Sequence, residues 1–271
     1  MIDKWRLLIT PPAHGAWNMA VDEAILEHIG RTESLPTLRL YAWEPACLSL
    51  GLAQSFADVD VQRLNARGWE VVRRPTGGRA ILHSDELTYS IIASTQEPRV
   101  AGSVLESYKR LAQALVKAVK SLGLPVEIEE DPYTSRKKPN PVCFEVPSAY
   151  EITVQGKKLI GSAQARRKEG VLQHGSLPLT GNLARITEVL YFPDETERQR
   201  ATARLLEHAT TVQSILGYAV SWNTTAQAFI QAFEATLDLK LEEQLLSESE
   251  RGRAAELVRE KYAHPDWTKR V

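Results

Sequence analysis

The chain has 271 residues, 43% of them hydrophobic and 25% charged, with a formal net charge of −1, which is ordinary for a globular protein with one large domain or one domain plus a small appendage. The near-zero charge argues against a dedicated nucleic-acid binder, and no apolar run approaches the ~20 residues needed to span a membrane. Met1 to Thr10 is too short and too mixed for a signal peptide, and two cysteines, Cys47 and Cys143, make no disulfide framework, so a reducing cytoplasm is the expected location.

The spacing predicts a first helix over Asn18 to Ile29, begun by Met19, Ala20, Glu23 and Ala24 and extended by Ile25 and Ile29. Two short strands are predicted at Thr37–Trp43 and Cys47–Gly51, then a short helix from Val59 to Ala66. Trp69 to Arg74 reads as a strand that ends in the turn Pro75-Thr76-Gly77-Gly78. Arg79–Ile92 reads as a second strand region, interrupted at Ser84-Asp85-Glu86. The strongest helix begins at Ser103, where Ser103 and Glu106 form a capping-box pattern. Leu105, Tyr108, Leu111, Ala112, Leu115 and Val119 keep helical spacing, and Gly123 and Pro125 stop it.

Asp131–Pro141 is a polar, proline-punctuated loop carrying Arg136, Lys137 and Lys138. Beyond it the period changes to two, with Tyr150, Ile152 and Val154 on one face. Turns at Gln155-Gly156 and Lys168-Glu169-Gly170 join this strand to Lys158–Arg166 and Val171–Leu179, giving a three-strand antiparallel meander. The remainder reads as helical: Phe229, Ile230, Phe233 and Leu237 form one apolar stripe, and Ser247 with Glu250 caps another helix carrying Leu257 and Val258. The expected fold class is α+β, with a body over residues 1–181 and a helical C-terminal extension over 182–271.

Three segments carry candidate chemistry. In Arg73-Arg74-Pro75-Thr76-Gly77-Gly78-Arg79-Ala80, two glycines let backbone approach a ligand, and the turn's N–H groups can face a carbonyl or an anion. The same residues also fit a plain hairpin turn with solvated arginines. Cys143 follows the basic loop at a loop–strand junction, where positive charge favours a thiolate nucleophile; the alternative is an inert buried cysteine, which the apolar run around Cys47 fits well. In Gly156-Lys157-Lys158-Leu159-Ile160-Gly161-Ser162-Ala163, a lysine past a turn can reach a ligand's carbonyl, and small residues leave room for it. Strand alternation puts Lys157 and Lys158 on opposite faces, so at most one belongs to a site. His83 and His174 stand in strand-like contexts with no assigned role. No metal-ligand spacing, phosphate-binding loop or serine nucleophile elbow is present, so no metal is expected.

The order of these motifs is more telling than any one of them. Arg73 to His83, then Lys158-Leu159-Ile160-Gly161-Ser162-Ala163, then His174-Gly175-Ser176-Leu177 resembles the biotin/lipoate protein ligase and transferase superfamily, over roughly Leu7 to Leu179. The resemblance implies a largely antiparallel mixed sheet flanked by helices. It implies Cys143 and Lys158 as catalytic residues, with Arg74, Thr76, Gly77, Gly78, Arg79, His83, Gly161, Ser162, Ala163 and His174 against the substrate.

Within the superfamily the chain departs from the ATP-dependent ligases: Arg79 stands at the usual third glycine, and Asp85-Glu86-Leu87-Thr88 replaces a D-x-G-N element. Cys143-Phe144-Glu145-Val146-Pro147-Ser148-Ala149-Tyr150-Glu151-Ile152 is similar to the cysteine segment of octanoyltransferases that serve the glycine cleavage H protein, as are Lys261-Tyr262 and Trp267. That group implies a ping-pong reaction without ATP or any other cofactor. Octanoyl passes from acyl carrier protein to Cys143, then to a lysine of an apo lipoyl carrier such as the H protein, with Lys158 stabilising the oxyanion or shuttling a proton. The alternatives are an ATP-dependent lipoate ligase, an amidotransferase between carrier proteins, and a non-catalytic acyl-binding module. Arg136-Lys137-Lys138 and Arg166-Arg167-Lys168 are either solvated loops or basic docking clusters for an acidic carrier. No nucleic-acid or membrane partner is expected.

Overall fold

The computed structural model describes residues 3–129 and 151–271. β1 (Asp3–Ile9) leads into α1 (Gly15–Gly30), followed by β2 (Thr37–Tyr41) and β3 (Cys47–Leu50). A 3-10 turn at Phe56–Asp58 precedes α2 (Val61–Ala66), β4 (Glu70–Arg73), β5 (Ile81–His83), β6 (Glu86–Ala93), α3 (Val104–Ser121) and β7 (Glu127–Glu129). The predicted meander follows as β8 (Glu151–Val154), β9 (Lys157–Arg167) and β10 (Gly170–Pro178). Then come α4 (Arg185–Glu188), α5 (Glu195–His208), α6 (Val212–Leu216), α7 (Trp222–Leu237), β11 (Leu239–Glu243), α8 (Glu248–Leu257), a π-helical turn at Val258–Tyr262 and α9 (Pro265–Thr268).

The strands form two sheets. The large one has the order β11-β1-β2-β6-β10-β9-β8-β7, and the small one the order β4-β3-β5. In the large sheet only β1 pairs in parallel, with β11 and β2; the remaining neighbours are antiparallel. This is the mixed, largely antiparallel sheet that the resemblance implies.

Period-two alternation divides the large sheet into two chemically different faces. Leu87, Tyr89 and Ile91 of β6 join a core cluster with Leu111 and Leu115 of α3 and Phe229 and Phe233 of α7. Ile92, next after Ile91 and so on the opposite face, joins a second cluster with Met19 and Ile25 of α1 and Leu257 of α8. A third cluster covers the outer face of the small sheet, where Leu48 and Leu50 meet Leu64, Ile186 and Leu205. The chain beyond residue 181 therefore supplies residues to all three clusters.

Local signals explain most boundaries. α3 starts at a complete capping box, the Ser103 hydroxyl accepting from the Glu106 amide while the Glu106 carboxylate accepts from the Ser103 amide; such caps contribute about 1 kcal/mol. The same device starts α8 at Ser247 and Glu250. α1 instead begins at Gly15, ahead of the predicted Asn18, because its cap comes from another strand: the Glu70 carboxylate on β4 accepts from the Gly15 amide at 2.9 Å. A Cβ at Gly15 would lie 2.4 Å from the Cys47 Sγ, so this close approach of helix to strand needs glycine.

Two expectations are corrected. Arg79–Ile92 is not one interrupted strand region but two strands in different sheets: β5 pairs with β3 and β6 with β2 and β10. The chain swings between sheets at Asp85, whose φ is 51°. The C-terminal part is not all helical, because β11 extends the large sheet with Leu239 and Leu241 buried and Lys240 exposed. Among the described residues no helix is long and apolar enough to cross a membrane.

Candidate active site

A cavity lies between the two sheets, beside Met19 of α1. β10 turns His174 and Ser176 toward it, β9 contributes Gly161 and Ala163, and β6 contributes Thr88. Ser49, Ile81 and His83 face them from the small sheet, and Arg74 and Gly78 close one side. Gly175 leaves the wall thin: a Cβ there would lie 2.6 Å from both the Ser162 Oγ and the Tyr89 ring.

The polar side chains around this cavity are tied to one another. On one wall the Trp43 indole N–H donates to the Thr88 hydroxyl at 2.8 Å, and Thr88 donates to the Glu86 carboxylate at 2.5 Å. Glu86 also accepts from Ser176 at 2.5 Å and pairs with His83 Nδ1 at 2.7 Å. The other His83 nitrogen lies 2.8 Å from the Ser49 Oγ, and the ring stacks on Trp43 with centroids 4.0 Å apart. On the opposite wall His174 Nε2 lies 2.6 Å from the Thr76 hydroxyl and Nδ1 lies 3.8 Å from Asp22. Asp22 accepts from Arg39 at 2.8 Å, Ser90 at 3.0 Å and Tyr41 at 3.2 Å. Polar groups satisfied in this way cost little to bury, and they leave carbon facing the cavity.

Burial shapes the titration of this wall. It drives the His174 imidazolium out, so the His174 pKa falls despite nearby Asp22. Burial opposes the charge on Asp22 too and is the largest single influence, but Arg39 and His174 together outweigh it and the carboxyl pKa falls. The Tyr89 phenol is pushed up to about 12 by burial. Cys47 is fully buried and its thiol is pushed well up, chiefly by burial, which suits the core role expected from its sequence setting.

Lys158 is buried, and a β-bulge determines its face. Ile152 pairs with Ile160 but Thr153 pairs with Lys158, so Leu159 is an extra residue on β9. Leu159 and Ile160 both enter the α3–α7 core, as do Ile152 and Val154. Thr153, and Lys158 opposite it, therefore take the other face, the one on which Gly161 and Ala163 line the cavity. Without the bulge, alternation would send Lys158 into the apolar core. Lys157 is spent elsewhere, donating to the Leu206 carbonyl at 2.7 Å.

The paired arginines are not solvated. Arg73 is buried and donates to the carbonyls of Gly51, Gln54 and Thr268 at 2.8, 2.6 and 2.8 Å. Arg74 donates to Ser49, Gly77 and Arg79 carbonyls at 2.9, 2.8 and 2.7 Å, so it shapes the glycine turn from inside. Trp267 returns a bond from its indole N–H to the Arg73 carbonyl at 2.8 Å, and Lys261 pairs with Glu23 at 2.6 Å, fastening the chain's end to β4 and α1. The cluster Arg166-Arg167-Lys168 is largely committed: Arg166 donates to the Val100 carbonyl at 2.6 Å and Arg167 to Glu23 at 2.9 Å. Cys143 and Arg136-Lys137-Lys138 lie outside the described residues.

Of the predicted site residues, Arg74, Gly78, His83, Gly161, Ser162, Ala163 and His174 line one cavity. Thr76 meets it through His174, and Gly77 and Arg79 hold Arg74 through their carbonyls. Sequence reasoning missed Ser49, Glu86, Asp22 and Trp43. Glu86 had a signal, as an acidic residue three positions from His83 at the edge of a strand; the others had none. Among the described residues no group of three or more His, Cys, Asp or Glu is placed to hold a metal ion.

A mixed sheet and a smaller sheet enclosing a cavity, with a glycine turn on its lining, define an α+β domain of the lipoate ligase type. The chain's overall structure is similar to the archaeal bipartite lipoate protein ligase from Thermoplasma acidophilum, described with its E2 lipoyl domain, with a TM-score of 0.82 at 25% identity over 98% of this chain and 96% of that one. It is also similar to lipoate-protein ligase A bound with ATP, with a TM-score of 0.78 at 26% identity over 99% of both chains. Residues 14–234 match the lipoyl protein ligase A/B catalytic domain, and the chain belongs to that family. Curated relatives include octanoyltransferase LipM of Moorella thermoacetica, 42% identical over 99% of this chain and 98% of that protein. Octanoyltransferase LipM of Exiguobacterium sibiricum is 41% identical over 98% of this chain and 99% of that protein.

Proposed function

We propose that this chain is an octanoyltransferase of lipoate assembly. It moves octanoyl from the thioester of acyl carrier protein to a lysine of a lipoyl carrier, such as the glycine cleavage H protein, by way of Cys143. The observation that carries this reading is end-to-end similarity: proteins named octanoyltransferase match at 42% and 41% identity over nearly the whole chain. The ATP-bound ligase shares only 26%.

The cavity supports the same reading. Its tied-off polar groups suit a hydrocarbon chain, and Lys158 is on the cavity side of β9. In the first half-reaction the Cys143 thiolate attacks the donor thioester and the donor thiol departs. In the second, the acceptor lysine's amine attacks the Cys143 thioester, an amide forms and Cys143 leaves as thiolate. The Lys158 ammonium stabilises the oxyanion in each step. A thioester is already activated, so neither step consumes ATP. A reducing cytoplasm keeps Cys143 as the thiol.

Intact-protein mass spectrometry tests the reading. Wild type mixed with octanoyl-acyl carrier protein, without ATP, gains one octanoyl group, Cys143→Ala gains none, and apo H protein discharges the adduct. Absence of an adduct, with H protein acylated only when ATP and free acid are supplied, replaces this reading with a ligase.

A further inference from the structure

We propose that Ser49, His83 and Glu86 form a second acyl-accepting centre. It takes acyl groups from activated medium-chain esters and thioesters onto the Ser49 hydroxyl and releases them to water as the free acid. The proposal rests on the reading that the cavity holds an acyl chain, but not on Cys143.

The geometry is that of a serine, a histidine and a carboxylate in series. Ser49 Oγ lies 2.8 Å from His83 Nε2, and His83 Nδ1 lies 2.7 Å from Glu86 Oε1. The three residues come from β3, β5 and β6, and all are buried. The surrounding bonds assign the protons. Indole N–H can only donate, so Thr88 accepts from Trp43 and donates its own O–H to the Glu86 carboxylate. Ser176 donates to the other Glu86 oxygen. Glu86 then accepts the His83 Nδ1–H, leaving Nε2 as the acceptor for the Ser49 hydroxyl. Arg74 Nη1 donates to the same Oγ at 3.1 Å, which favours negative charge on that oxygen. Serine, base and orienting carboxylate in this order activate a hydroxyl on unrelated folds.

Access and oxyanion support follow from the cavity. Ser49 and His83 both line it, so Ser49 meets only what the cavity admits. Gly78 lines it too, and among the described residues no acceptor takes the Gly77 or Gly78 amide. Of the two, Gly78 is on the lining, and its N–H is the donor open to a tetrahedral oxyanion there.

The step balances without a further reagent. Ser49 Oγ attacks the acyl carbon as its proton passes to His83 Nε2, with Glu86 holding the imidazolium. The bond to the alcohol or thiol breaks, and that leaving group takes the proton from His83. Water repeats the sequence on the serine ester, giving the carboxylic acid and restoring Ser49.

The experiment uses Cys143→Ala, in which the proposed main nucleophile is absent. The folded variant is treated with an octyl fluorophosphonate and, separately, with p-nitrophenyl octanoate. Peptide mass spectrometry is expected to find one phosphonyl adduct, on Ser49, and nitrophenolate release is expected to exceed the enzyme-free rate. His83→Ala added to Cys143→Ala lowers the labelling rate at least tenfold, as loss of a general base requires, and Ser49→Ala added to Cys143→Ala abolishes labelling. A Cys143→Ala protein with the wild-type melting temperature and no adduct on Ser49 overturns the proposal, as does equal ester hydrolysis with and without Ser49. Either failure leaves the Cys143 reading standing, because that one is decided by the thioester adduct on the wild-type chain.

Discussion

The cavity has a histidine on each wall, and the two are wired differently. His83 sits between a serine at 2.8 Å and a carboxylate at 2.7 Å. His174 bonds a threonine at 2.6 Å but approaches its carboxylate, Asp22, only to 3.8 Å, beyond hydrogen-bond reach. Asp22 is already engaged by Arg39, Tyr41 and Ser90. Glu86, by contrast, takes only hydroxyls besides His83, with no arginine against it among the bonds formed. A carboxylate neutralised by arginine can hold a wall in place but has little charge left for an imidazolium. One satisfied by hydroxyls keeps its charge for the histidine. Similar sets of a hydroxyl, a histidine and a carboxylate thus give a proton relay on one side and a fixed brace on the other.

The largest effect that would break this contrast comes from Asp22. Arg39 and Asp22 are both fully buried, so Asp22→Ala strands a guanidinium in the core. Removing one partner of such a pair costs about 3–5 kcal/mol, and urea unfolding should show that loss. A cost below about 1 kcal/mol would mean that Arg39 is satisfied without Asp22 and that the brace is not built on that pair.

A smaller effect separates the two hydroxyls. Thr76→Val leaves His174 only its longer approach to Asp22, and an unsatisfied buried nitrogen costs about 1–3 kcal/mol. Ser49→Ala likewise leaves His83 Nε2 without its partner, but the ring stays bonded to Glu86 and stacked on Trp43, so its expected cost lies at the low end of that range, about 1 kcal/mol. Chemical denaturation of the two variants in parallel orders them, and the reverse order would erase the distinction between relay and brace.

Much of this site was legible in the sequence and the rest could not have been. Both histidines, the glycine turn and the Gly161-Ser162-Ala163 run stand out as motifs, and they do converge on one cavity. Their partners are set by tertiary contact: Asp22 belongs to a helix 152 positions before His174, and no local pattern marks it. Glu86 is hidden for a different reason, since an acid between two strand-like runs reads as a break in a strand. The break is real, but it moves the chain from one sheet to the other and delivers the carboxylate to His83. Arg73 and Arg74 mislead because arginine usually marks a surface, whereas here both cap backbone carbonyls that strand ends and tight turns leave unpaired. Lys158 shows the limit of counting by two: the bulge at Leu159 reverses its face, and nothing in the residue types announces it. β11 had a weak signal in the alternation Leu239-Lys240-Leu241 that two apolar positions were too few to secure.

The smallest predicted effect concerns pH and belongs to His174 alone. Burial lowers its pKa in the folded protein below the 6.5 of an exposed histidine, against the pull of Asp22 and with help from Arg74 and His83 nearby. Between that lowered value and 6.5 the unfolded chain binds more protons at this position than the native one, so stability rises with pH there and falls as the solution is acidified. The stabilisation is complete above 6.5 and drains away below it. Unfolding midpoints measured from pH 7.5 down to pH 5 should therefore decline more steeply for wild type than for His174→Gln, which keeps a partner for Thr76 but cannot take up a proton. Parallel declines in the two proteins would show that His174 carries no linked proton, and the brace would then have to be explained by Thr76 and the Arg39–Asp22 pair without it.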